Sequence, residues 1–125
     1  MINILFEYPQ LNCGGTEMVM YNLIKFFAPE QFRDIGCSIF VVPFVNKKQY
    51  LRDLTSFLQV HKYGVVHTHM HNDMGLVMKC AESVGVPVRV AHSHNARVDV
   101  PRIMWPLNII RSWQTENHAN LFFAC

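Results

Sequence analysis

The stretch Tyr63-Gly64-Val65-Val66-His67-Thr68-His69-Met70-His71-Asn72-Asp73 decides how this chain reads. Its front half is a short apolar run bounded by Gly64, the look of a strand buried inside a parallel sheet. The run then turns polar. Residues two apart on a strand share a face, so His67 and His69 point one way and Thr68 the other. Immediately downstream, residues 74–84 take a helical period, with Val77, Cys80, Ala81 and Val84 on the inward stripe and Gly85 closing the end. Pro87-Val88-Arg89-Val90-Ala91-His92 is a second strand of the same kind, and it too runs into polar residues, Ser93-His94-Asn95. Strand, helix and strand at this spacing make a parallel crossover.

The same alternation extends in both directions. Residues 47–61 place Leu51, Leu54, Phe57 and Leu58 on one stripe, with Lys47, Lys48, Arg52, Asp53 and Gln59 off it. Residues 38–42 read as a strand stopped by Pro43, and residues 2–7 as a strand expected to be buried on both faces. Between them a loop ends in Gly14-Gly15, and Thr16 caps a helix whose stripe is Val19, Met20, Leu23, Ile24 and Phe27. Residues 102–117 predict a helix that starts or kinks at Pro106, and residues 120–125 a last strand. The fold class is therefore α/β, a Rossmann-like parallel sheet with helices on both faces, forming one domain over residues 1–125.

Composition narrows the function. Half of the 125 residues are hydrophobic, 16% are charged and mean hydropathy is +0.10, which excludes an intrinsically disordered chain. The net charge is +2 with no basic run, so nucleic acid is not an expected partner. The longest apolar stretch, residues 37–45, is broken by Pro43 and is too short to span a bilayer. Residues 1–7 lack a basic leader, and Cys13, Cys37, Cys80 and Cys125 form no CxxC pair, so a cytoplasmic protein with free thiols is expected. Trp105 and Trp113, flanked by Arg102 and Arg111, fit either contact with the inner face of a membrane or packing against a neighbour.

In an open parallel sheet, ligands bind beyond the carboxyl ends of the strands. Cys13-Gly14-Gly15-Thr16 precedes a helix N-terminus, where backbone N–H groups and the helix dipole favour a phosphate. The same glycines also suit a tight turn that needs positive φ, and they are not the GxGxxG fingerprint. Five of the seven histidines gather at two strand ends. His69 and His92 lie nearest the expected cleft, His67 reads as a partly buried histidine bonded to backbone, His71 as a loop residue, and His94 fits either role. His67 and His69 could chelate a metal from one face, with His92 or His94 as a third ligand. A catalytic metal usually has a carboxylate nearby, and only Asp73 and Asp99 lie close in sequence. A histidine-rich metal-dependent hydrolase and a non-catalytic binding remnant therefore stand as alternative readings. No Gly-x-Ser-x-Gly elbow occurs, and Cys13 reads more simply as a small loop residue than as a nucleophile.

Three segments, in order, resemble a known family. Cys13-Gly14-Gly15-Thr16-Glu17 followed by Asn22-Leu23 resembles the Gly-Gly-x-Glu…Asn-Leu start of the family 4 retaining glycosyltransferases. Tyr63-Gly64-Val65-Val66-His67-Thr68-His69 resembles their Tyr-Asp-Val-Val-His-x-His strand, with Gly64 where Asp is usual. Val88-Arg89-Val90-Ala91-His92-Ser93-His94-Asn95 resembles the Arg-Ile-Ala-His-Ser-His-Asn of the capsular and exopolysaccharide branch, and Leu121-Phe122-Phe123-Ala124-Cys125 resembles the strand that follows.

The resemblance implies the N-terminal, acceptor-side domain of a GT-B enzyme, a hexosyltransferase type that moves a sugar from a nucleotide-sugar to a glycan or lipid-linked acceptor. It implies that Gly14, Gly15 and Thr16 approach the donor phosphates and that His69 lies catalytically beside the transferred sugar. His92, His94, Asn95 and Asn72 would line the cleft on the acceptor side. Neither metal nor other cofactor is implied. The donor half of such an enzyme, with its Glu-x7-Glu pair, is not among these residues, so activity is expected to need a donor domain in cis or in trans. Apolar surface facing that partner is expected to be exposed. Residues 32–37 also cross a gap with about 20–30 residues fewer than the family pattern plus an ordinary connection would have, so the sheet lacks a strand or residues 38–42 take its place.

Overall fold

A computed structural model describes residues 3–7, 46–70, 72–94 and 101–124. These form β1 (Ile4–Glu7), α1 (Lys47–His61), β2 (Val65–Thr68), α2 (Met74–Ser83), β3 (Val88–Ser93), a 3-10 turn (Arg102–Met104), α3 (Trp105–His118) and β4 (Leu121–Ala124). The strands pair in the order β1-β2-β3-β4, every pair parallel. The described helices pack side by side on the sheet: α2 lies between α1 and α3 and rests on β2 and β3. The helix read at residues 16–27, the strand at 38–42 and the Gly14-Gly15-Thr16 loop lie outside the described residues.

Strand alternation sorts the side chains. Val66 and Thr68 are fully buried on the helix face, under Leu54 and Leu58 of α1 and Val77, Met78 and Ala81 of α2. Each fully buried Leu, Val or Met contributes about 1.5–3 kcal/mol relative to an exposed one. On the opposite face Ile4 is 51% exposed, Phe6 50% and Phe123 52%. Sequence predicts β1 to be buried on both faces, and the structure corrects this: only Glu7 is buried and Leu5 partly covered, because the described helices lie on one side.

Local chemistry sets the element ends. The Asn46 side chain accepts the Gln49 backbone N–H at 2.9 Å, an N-cap with Gln at N3. At the end of α2, Gly85 (φ 79°) donates to Glu82 O and Val86 donates to Ala81 O, the two bonds of a Schellman motif. Pro106 sits in the first turn of α3, where its missing N–H costs nothing. Arg89 then ties the layers together: Nε donates to His118 O at 2.5 Å, one guanidinium N–H to Val86 O at 2.8 Å and another to Glu82 at 3.2 Å. Arg89 is thus a structural clamp between the ends of α2 and α3.

Gly75 marks where α2 meets α3. A Cβ there would stand 2.6 Å from Thr115 N and 2.7 Å from Gln114 Cβ. Backbone cannot retreat from that contact without moving the helix. Gly75→Ala is therefore expected to destabilise the chain by about 1–3 kcal/mol, read as a fall in urea midpoint. Wild-type stability would contradict the helix crossing described.

Candidate functional site

The carboxyl ends of β2 and β3 carry the chemistry. His67 lies on β2, His69 just beyond it, His92 on β3 and His94 just beyond that. Parallel register sets the two strands level, Thr68 opposite Ala91, so all four imidazoles share the open face of the sheet. His67 Nε2 lies 3.1 Å from His92 Nδ1, and His69 Nδ1 lies 2.7 Å from His94 Nε2. Ring centroids are 4.6 Å apart for His67 and His69, 4.8 Å for His69 and His92, and 4.3 Å for His92 and His94. Phe6 flanks His67 at 5.2 Å and Phe123 stands edge-on to His92 at 5.9 Å. The outcome is a row of imidazoles closed at both sides by phenyl rings.

The cluster holds its proton affinity down. Burial lowers the His67 pKa, and the neighbouring His92 and His94 lower it further. Burial and then His94 lower that of His92. For His67 and His92 the cause beyond burial is that a second positive charge would have to form beside a first.

The helix side of the same strand end holds a different polar group. Glu7 is 6% exposed and accepts hydrogen bonds from Tyr50 Oη and Thr68 Oγ1, both at 2.5 Å. Thr68 Oγ1 in turn accepts the Met70 backbone N–H at 3.1 Å, and His69 N–H donates to Glu7 O at 3.0 Å. Glu7 thereby fixes how β2 leaves the sheet, and with it the direction of His69. Desolvation raises the Glu7 pKa, against which the Thr68 and Tyr50 hydrogen bonds work.

Each predicted site residue can now be located. His69, His92 and His94 come together as the sequence predicts. His67 is a member of the same cluster, partnered by an imidazole instead of the backbone the sequence suggests. Asn72 is exposed in the turn leading into α2. Asp73 is bound to Lys47 Nζ at 2.8 Å and ends as the α2 N-cap residue. Gly14, Gly15, Thr16, His71 and Asn95 lie outside the described residues. Sequence reading missed Glu7, Tyr50 and Thr68. The available signal was a carboxylate ending an otherwise apolar strand, which has to find donors wherever it is buried.

Comparison with known proteins finds one relevant relative. The chain is 31% identical over 114 residues to "Putative glycosyltransferase EpsF" of Bacillus subtilis (strain 168), an alignment covering 74% of this chain and 30% of that protein. The chain thus spans about a third of its relative's length. No family model and no solved structure matches the chain.

The two polar groups give opposite pH responses. Glu7, with its pKa raised in the fold, binds protons more readily folded than unfolded, so its contribution falls as pH rises from about 4.5 through the raised value. His67 and His92, lowered in the fold, lose stability as pH drops below about 6.5, where the unfolded imidazoles protonate first. Glu7→Gln is expected to gain stability relative to the parent as pH rises across this range, and His67→Gln to flatten the acid limb. Urea midpoints between about pH 5 and 8 test both. Tyr50→Phe, which strips one bond from the buried carboxylate, is expected to cost about 1–3 kcal/mol.

Proposed function

We propose that residues 1–125 form the N-terminal, acceptor-side domain of a retaining GT-B glycosyltransferase of family 4, acting in exopolysaccharide synthesis. The observation that carries this reading is the likeness to EpsF, joined to a histidine cluster at the carboxyl ends of a parallel sheet. Such ends are where α/β sheets of this kind bind ligands.

The substrates are a nucleotide-sugar and a glycan or lipid-linked acceptor. Gly14, Gly15 and Thr16 meet the donor diphosphate, whose negative charge grows as the sugar departs. Backbone N–H groups at a helix start stabilise that charge without reorganising. His69 is the imidazole that touches the transferred sugar, held in direction by the Glu7 ladder contact and by His94. His92, His94, Asn95 and Asn72 line the acceptor side. A donor domain, in cis or in trans, supplies the rest of the diphosphate site. The transfer itself relies on positioning and charge stabilisation and takes no metal or other cofactor.

Among the described residues no helix is long and apolar enough to cross a membrane. The α3 stripe instead leaves Trp105, Ile109 and Trp113 exposed, with Arg102 6.0 Å from the Trp105 ring centre. This supports a cytoplasmic protein that rests its α3 against the inner face of a membrane, close to a lipid-linked acceptor.

The test couples the chain to a donor domain and follows release of nucleoside diphosphate. His69→Ala is expected to reduce the rate about 100-fold, within the range that one positioned proton-bearing group supplies. Gly15→Val is expected to reduce it by obstructing the approach of the phosphates. Unchanged rates in both variants would remove the site assignment.

A further inference from the structure

We propose that His67, His69 and His92 form a binding site for a borderline divalent cation, Zn2+ above all, on the open face of the sheet. The site needs only the ends of β2 and β3, so it stands apart from the transferase reading and can fail or hold independently of it.

The ligand nitrogens of the three imidazoles all lie within 4.8 Å of one another. A tetrahedral zinc with Zn–N of about 2.0–2.1 Å places its nitrogens roughly 3.3–3.4 Å apart. His67 Nε2 and His92 Nδ1 are already 3.1 Å apart, close to one edge of that tetrahedron. His69 stands beside both, its ring centroid 4.6 Å from that of His67 and 4.8 Å from that of His92, and its Nδ1 lies 2.7 Å from His94 Nε2. His94 then acts as the outer partner that metal-bound imidazoles commonly have, fixing tautomer and ring direction.

The chemistry of the donors selects the ion. An all-imidazole set suits Zn2+, Cu2+ and Ni2+ and offers nothing to Mg2+ or Ca2+, which want oxygen. Three neutral nitrogens leave the cation its full charge and a fourth position for water or an anion. The half-exposed Phe6 and Phe123 rings flank the row. Binding moves the N–H shared by His67 and His92 to the far nitrogen of its ring, so neutral imidazoles coordinate without net proton loss. In a working transferase the ion would sit on the imidazole proposed to meet the sugar, so it would act as an inhibitor.

The experiment titrates Zn2+ into the untagged 125-residue chain at neutral pH by calorimetry. One ion per chain is expected, with Co2+ giving the intense visible bands of a tetrahedral site. His92→Ala is expected to weaken binding by at least about 10-fold and His94→Ala by about 10–100-fold, the usual cost of losing such a partner. His61→Ala and His118→Ala, outside the cluster, should bind as the parent does. The Co2+ spectrum of the unmutated chain decides the matter if a variant does not fold: pale octahedral bands, or no binding, overturn the proposal. Equal losses in His61→Ala or His118→Ala would overturn it as well.

Discussion

The described part of this molecule depends on one packing arrangement: its helices cover a single face of four parallel strands in the order β1-β2-β3-β4, with α2 seated on β2 and β3 between α1 and α3. That face becomes the core, built on Leu54, Leu58, Val66, Val77, Met78 and Ala81. The other face keeps half-exposed Ile4, Phe6, Leu121 and Phe123, and it is also where the histidines stand. The packed layer and a row of part-buried imidazoles, with His69 itself buried, lie on opposite faces of the one sheet.

β2 shows how one strand serves both purposes. Thr68 points inward to Glu7, while His67 before it and His69 after it point outward. The inner bonds hold the strand end rigid, and the outer side chains inherit that rigidity. A site built this way needs no help from loops to keep its imidazoles in register, because the ladder between Thr68 and Ala91 does so. This rigidity is what the proposed sugar contact at His69 draws on. The same fixed spacing, with nitrogens already near coordination distance, is what makes a cation a credible second occupant.

Much of this was legible in the sequence because hydrophobic period and strand alternation are local. The helix at Lys47–His61 was readable from its stripe, and the two histidine pairs from the two-residue repeat at the ends of β2 and β3. What stayed hidden depends on contacts between distant residues. Tyr50 and Glu7 are 43 positions apart, and Glu7 and Thr68 61 apart, so no spacing rule joins them. The role of His67 was misjudged for the same reason, since its partner His92 belongs to another strand. The two-sided burial expected for β1 failed because a run of apolar residues does not say which of its faces a helix will cover. The clamp of Arg89 on Glu82, Val86 and His118 likewise reaches across the fold to His118, which no spacing rule links to it.

The account rests on the imidazoles of β2 and β3 touching one another on the open face. Nitrogen-detected NMR of the histidine rings measures that contact directly. His92→Gln should shift the His67 ring resonances and bring its midpoint up toward the ordinary value near 6.5, because the opposing His92 charge is removed while burial and His94 still hold it down. A His67 ring that titrates alike in the parent and in His92→Gln, with unmoved resonances, would contradict the cluster and the site built on it.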